Sequence, residues 1–197
     1  PRDRTTPVIG DRAKLQREGS DIRVVALAPR ERVFSKPNAQ GGQIVAAHVD
    51  RLVIVTAVEP GPRPGLVDRM CIALDSPAVE VVLVVNKADL PDAERAAAEL
   101  DDHVAVGARR VLTSTRTAAG HSDGPAEASP LSTGLEGLRA LLAEGLSLVV
   151  GHSGVGKSSI VNALVPGAAL LVGAVNDVTA KGRHTTTQRE LIVTPGG

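Results

Sequence analysis

The order of two short motifs constrains this chain most. Asn86-Lys87-Ala88-Asp89 stands well before Gly151-His152-Ser153-Gly154-Val155-Gly156-Lys157-Ser158. The later stretch has the Gly-x-x-x-x-Gly-Lys-Ser spacing of a phosphate-cradling loop, and the earlier one carries the residue types that read a guanine base. The usual arrangement puts the phosphate loop first. Its reversal predicts an α/β domain with a mostly parallel sheet whose chain has been circularly permuted.

The phosphate loop rests on local physics. Leu146-Ser147-Leu148-Val149-Val150 reads as a short buried strand and Lys157 to Leu164 as the start of a helix, with the glycine-rich turn between them. Gly151, Gly154 and Gly156 let the backbone approach an anion so that successive N–H groups and the positive helix end face it. Lys157 adds a full charge at the β- and γ-phosphates. Ser158 is the expected hydroxyl ligand of Mg²⁺, a hard octahedral ion that takes one protein oxygen beside phosphate oxygens and waters. Ser159 is expected at the α-phosphate, while His152, Ser153 and Val155 complete the loop. The competing reading is a glycine-rich turn before an ordinary helix.

Val79-Glu80-Val81-Val82-Leu83-Val84-Val85 is a nearly continuous β-branched run, the pattern of a parallel strand buried on both faces. Asn86 therefore falls at a strand's carboxyl end, the edge where open α/β sheets bind ligands, and Leu90-Pro91-Asp92 opens a helix. Asp89 would accept the N1–H and exocyclic N2–H₂ of guanine; adenine offers neither donor there and would leave a carboxylate unpaired. The Lys87 stem can cover a ring face and Asn86 would hold neighbouring loops together. Alone, so short a motif could equally be a solvated turn. Val111-Leu112-Thr113-Ser114-Thr115 ends another β-rich run, and Ser114 stands where many GTPases place a backbone N–H against the guanine O6. Thr115 and Arg116 replace the common Ala and Lys, and the alternative is that Ser114 merely ends a strand. The polar segment from Ala118 through Pro130 reads as a surface insertion.

Downstream of the phosphate loop, Lys181-Gly182-Arg183-His184-Thr185-Thr186-Thr187 lies at the distance of a first switch region. Thr185 or Thr186 is the candidate for Mg²⁺ and the γ-phosphate. His184 is the catalytic candidate, orienting water or touching phosphate; a solvated loop histidine is the alternative. Val193-Thr194-Pro195-Gly196 looks like an Asp-Thr-Pro-Gly motif with Val in place of the metal-contacting Asp.

Together, Asn-Lys-Ala-Asp-Leu at 86–90, Gly-His-Ser-Gly-Val-Gly-Lys-Ser-Ser at 151–159 and Gly-Arg-His-Thr-Thr-Thr at 182–187 resemble the circularly permuted GTPases of small ribosomal subunit biogenesis, the ribosome small-subunit-dependent GTPase A family. Ile44-Val45-Ala46-Ala47-His48-Val49-Asp50 resembles that family's entry into its GTPase domain, and Val8-Ile9-Gly10-Asp11 part of its preceding OB barrel. The resemblance spans nearly the whole chain. It implies that Glu190 to Gly197 is a turn preceding the Asp-x-x-Gly motif, so the chain is expected to be a fragment that stops before that motif; Pro1 in place of an initiating Met agrees. It also implies GTP/GDP and Mg²⁺ as ligands, the small ribosomal subunit and its rRNA as partners, a monomer without membrane contact, and zinc only in a C-terminal domain that this chain lacks.

Residues 1–48 are accordingly expected to be a partial OB-like β-barrel, and 49–197 a circularly permuted P-loop GTPase domain. Strands and helices are expected at 50–56, 64–74, 91–100 and 134–144, the last with Leu135, Leu138, Leu141 and Leu142 on one face. Lys plus Arg number 22 and Asp plus Glu 22, so net charge gives no general attraction to RNA. Phe34 is the only aromatic, which leaves the N-terminal piece without a base-stacking platform; basic residues such as Arg30, Arg32 and Lys36 are the remaining ribosome-contact candidates, or simply a solvated face. Cys71 is expected to be a buried core thiol. A single cysteine excludes an intramolecular disulfide and suits a reducing, cytoplasmic location. No apolar run is long enough to span a membrane and no signal peptide is visible. The leading function is GTP hydrolysis coupled to late small-subunit maturation. A nucleotide-dependent binding module with little hydrolysis and an interaction protein with a vestigial site are the alternatives.

Overall fold

The computed structural model describes residues 6–36, 42–116, 130–165, 167–168 and 191–194, with backbone alone for 130–133. The chain begins with antiparallel pairs, β1 (Ala13–Glu18) on β2 (Asp21–Leu27) and β3 (Phe34–Lys36) on β4 (Gln43–Ala46). The first hairpin leaves Leu15, Ile22, Val24 and Val25 exposed. The second is anchored differently, because Phe34, Val45 and Ala46 enter the same apolar core as Leu52, Ile54 and Leu83. The strands before residue 48 thus have the antiparallel pairing of a small barrel, though no closed barrel exists among the described residues.

Arg30 and Arg32 do not form a free basic surface. Arg30 makes a two-pronged pair with Asp11, Nε at 2.7 Å from Oδ1 and Nη2 at 2.7 Å from Oδ2. Arg32 donates from Nε to the Val49 carbonyl at 3.1 Å and pairs with Asp50 at 3.1 Å. Arg30 thus fastens the segment after β2 to the segment before β1, and Arg32 ties it to the entry of the next sheet.

That sheet is wholly parallel. Its elements run β5 (Arg51–Ala57), α1 (Pro64–Ile72), β6 (Glu80–Asn86), α2 (Ala93–Ala98), α3 (Asp101–Ala105), β7 (Arg109–Leu112), α4 (Pro130–Leu141), β8 (Ser147–Val150) and α5 (Lys157–Leu164). The strand order is β7-β6-β5-β8. Alternation along β5 and β6 sends Leu52, Ile54, Leu83 and Val85 toward Val67 of α1 and Ala96 and Ala97 of α2. It sends Val53, Val55, Val82 and Val84 toward Leu138 of α4 and Ile160 of α5. Burial on both faces is why these strands read as continuous apolar runs.

Two helices differ from expectation. The helix expected over 91–100 is shorter, α2 covering Ala93–Ala98, and an unexpected short helix, α3, follows Leu100, whose side chain is fully buried and whose backbone, at φ −110°, lies outside helical geometry. Helix α4 starts earlier than expected, at Pro130, a residue suited to a first helical turn; residues 117–129 of the expected insertion lie outside the described residues. The chain steps outward from β5 to β7, then returns to lay β8 beside β5. This reversal opens a crevice at the strands' carboxyl ends, where such sheets take ligands.

Candidate nucleotide site

The loop from Gly151 to Gly156 leaves β8 and turns directly into α5. Two glycines are sterically required. Gly151 has φ +150° and a Cβ there would lie 2.3 Å from the Val55 carbonyl oxygen; Gly156 has φ +89° and a Cβ would lie 2.3 Å from Asn86 Nδ2. Val155 is fully buried in the core beneath the loop and fixes it to the sheet. Lys157 is half-buried, and its ammonium donates to the His152 carbonyl at 2.7 Å. Burial holds that ammonium below the usual lysine range. A phosphate would replace a neutral carbonyl with an anion, the partner a partly desolvated ammonium lacks. The His152 ring meets the Ser153 carbonyl through Nδ1 at 2.9 Å. Ser158 and Ser159 occupy the first turn of α5, both half-buried.

Across the crevice, Asn86 closes β6 with 1% of its surface exposed. Its Nδ2 donates to the Val155 carbonyl at 2.9 Å, and its Oδ1 accepts from Thr113 Oγ1 at 3.2 Å. One amide thus fastens the phosphate loop to the ends of β6 and β7. Lys87 adopts a left-handed backbone, φ +58°, and its Nζ donates to the Glu59 carbonyl at 2.8 Å. Asp89 Oδ1 accepts from Ser114 Oγ at 2.6 Å, and Arg116 Nε lies 3.9 Å from Oδ2. Ser114 is buried, and its hydroxyl holds Asp89 in place. The carboxylate is oriented with lone pairs left for further donors.

These groups border one cleft of about 310 Å³, lined by Glu59, Asn86, Lys87, Asp89, Leu90, Thr115, Arg116, Gly156 and Ser159. That volume matches the lower range of small-molecule sites. The structure therefore brings the 86–89 turn, the 114–116 turn and the start of α5 together, although they are far apart in the chain. His184, Thr185 and Thr186 lie outside the described residues. Glu59 and Thr113 were not legible as site residues. Their only signal is position, each lying just past the carboxyl end of a strand. Cys71, expected in the core, is only half-buried on α1; burial, with Asp68 beside it, raises its thiol above the usual range.

A parallel sheet in which the glycine loop follows β8 while the Asn-Lys-x-Asp turn follows the earlier β6 defines a circularly permuted P-loop GTPase domain. The chain belongs to the RsgA GTPase family, whose model matches residues 27–197. It is 38% identical over 195 residues to the small ribosomal subunit biogenesis GTPase RsgA of Chromohalobacter salexigens, covering 96% of this chain and 53% of that protein. It is 39% identical over 175 residues to the protein of that name from Pseudomonas aeruginosa strain LESB58, covering 88% of this chain and 48% of the relative. The solved structure of YjeQ from Thermotoga maritima superposes with a TM-score of 0.60 at 27% identity, covering 82% of this chain and 52% of that one. The chain thus spans about half the length of these relatives.

Proposed function

We propose that this chain binds guanine nucleotide with Mg²⁺ and, within the whole protein, hydrolyses GTP to GDP in step with late maturation of the small ribosomal subunit. The observation that carries the reading is Asn86, which joins the base-reading turn to the phosphate loop through 2.9 and 3.2 Å hydrogen bonds. Asp89, held by Ser114, accepts the two guanine N–H donors. Gly151 and Gly156 let the loop pass against Val55 and Asn86 where a Cβ would clash, and the N–H groups of the loop and of the first turn of α5 would meet the phosphate. Lys157 leaves the His152 carbonyl for the β- and γ-phosphates and stabilises charge that develops in hydrolysis. Ser158 would hold Mg²⁺, with Thr185 or Thr186 as its switch partner, and His184 would orient water. When bound, the metal supplies positive charge to the phosphate oxygens. The names of the relatives support the small ribosomal subunit as a partner, with its rRNA as the contact within it, and a cytoplasmic monomer fits the reading. Residues 1–48 form the barrel piece and 49–197 the GTPase piece.

The test is nucleotide exchange by Asp89→Asn, read as dissociation constants for GDP and for xanthosine diphosphate. GDP binding should weaken on the order of a hundredfold or more while the xanthine nucleotide gains, because its oxygen at position 2 accepts where guanine's amine donates. Unchanged guanine preference would remove Asp89 from base reading. Failure of small subunits to stimulate GTP hydrolysis by the intact protein would remove the ribosomal part.

A further inference from the structure

Two consecutive carbonyls of the phosphate loop are taken up by side chains. The His152 carbonyl accepts from Lys157 Nζ at 2.7 Å, and the Ser153 carbonyl accepts from the His152 ring at Nδ1, 2.9 Å away. A carbonyl can only accept, so Nδ1 carries the ring proton. In the neutral ring Nε2 keeps its lone pair, and that atom is buried without a hydrogen-bond partner among the described residues. Burial of the far edge fixes the direction in which Nδ1 points.

The peptide that the ring holds has little else to hold it. Gly154 has φ +83°, and beyond its chain neighbours no atom lies within 4 Å of the position a Cβ would take. Glycine moves between backbone basins at low cost, so the peptide joining Ser153 to Gly154 can turn over unless its carbonyl is tied. Among the described residues the ring is the tie, because no backbone hydrogen bond engages the Ser153 carbonyl or the Gly154 N–H. Gly151 and Gly156 differ, since Val55 and Asn86 crowd them from outside the loop.

We propose that His152 is a positioning residue of the phosphate site: its ring holds the Ser153 carbonyl aside and so aims the Gly154 N–H at the phosphate. The peptide unit is planar and trans, so its C=O and N–H point in opposite directions, and fixing one fixes the other. Turned over, the same peptide would present its oxygen to the anion and replace an attraction with a repulsion. Lys157 cannot take this role, because its ammonium holds the preceding carbonyl and leaves it for the β- and γ-phosphates. The inference rests on the guanine-nucleotide reading above and adds to it a residue that prepares the loop before phosphate arrives.

GDP affinity of the intact protein is measured by calorimetry, and the Gly154 amide is followed by NMR in glycine-labelled protein. His152→Leu fills much of the ring's space but cannot donate. It should weaken GDP about tenfold or more, the worth of one oriented donor to a charged group. The Gly154 amide proton should move downfield when GDP binds the wild type and should not do so in this variant. His152→Asn should restore both, because its amide nitrogen falls where Nδ1 stands and carries protons. Unchanged GDP affinity in His152→Leu would overturn the role, as would a Gly154 amide that still moves downfield there, or an Asn variant as weak as Leu. Should the variants fail to fold, the nitrogen-15 shifts of the wild-type imidazole decide: the proton belongs on Nδ1, and a ring protonated on Nε2 alone would overturn the proposal. Wild-type protein that does not bind GDP would overturn the guanine reading itself, an outcome separate from binding that is indifferent to His152.

Discussion

Gly156→Ala would place a Cβ 2.3 Å from Asn86 Nδ2 on a backbone at φ +89°. Two effects then add. Holding alanine in a left-handed conformation costs about 1–2 kcal/mol. Pushing the Asn86 amide aside costs a further ~1–3 kcal/mol, because the Val155 carbonyl and Thr113 hydroxyl lose their partner in a buried setting. The single variant should lose about 2–5 kcal/mol in urea unfolding, a fall of roughly 5–15 °C in melting temperature for a chain of this size. Asn86→Ala alone removes the same two hydrogen bonds and also frees the space. In that background Gly156→Ala should cost only its backbone term. The double-mutant cycle should therefore show coupling of about 1–3 kcal/mol, well above the ~0.5 kcal/mol expected of independent sites. Coupling that small would refute the idea that Gly156 is glycine because Asn86 crosses it. A Gly156→Ala loss undiminished by Asn86→Ala would refute it equally.

The lowered Lys157 pKa means that the folded state binds fewer protons than the unfolded one just below the ordinary lysine value of 10.5. Empty protein should consequently gain stability as pH rises through that window, and Lys157→Met, which cannot titrate, should lose that gain along with nucleotide binding, as read by denaturation at several pH values and by GDP titration. The Asp11 carboxyl is likewise held below its ordinary range, chiefly by the Arg30 hydrogen bonds. Its stabilisation is present above that ordinary range and is lost as pH falls through the lower folded value. Asp11→Asn should cost about 1–3 kcal/mol near neutrality, with the gap to wild type closing under acid denaturation.

Much of the fold was legible because its signals are local. The β-branched run before Asn86 announced a strand buried on both faces, and the glycine spacing announced a loop that only an unhindered backbone can make. Helix α5 was expected to start at Lys157 and does, because the loop before it fixes where helical geometry can begin. Helix α3 was not legible, since five residues of which none is buried carry no apolar periodicity to announce a helix. The roles of Arg30 and Arg32 were hidden likewise, because a basic side chain looks solvated until its acid partner is folded against it.

The sequence by itself determined the class of ligand chemistry and the permuted order of its parts, since each motif is a constraint on a few consecutive residues. Tertiary structure decided how those parts act together. Asn86 meets the phosphate loop, Lys87 meets Glu59 and Ser114 meets Asp89 across 69, 28 and 25 residues of chain. The last two join the ends of neighbouring strands β5, β6 and β7, and the first exists only after β8 has returned to lie beside β5, because a parallel sheet brings strand ends together by lateral order and not by order along the chain.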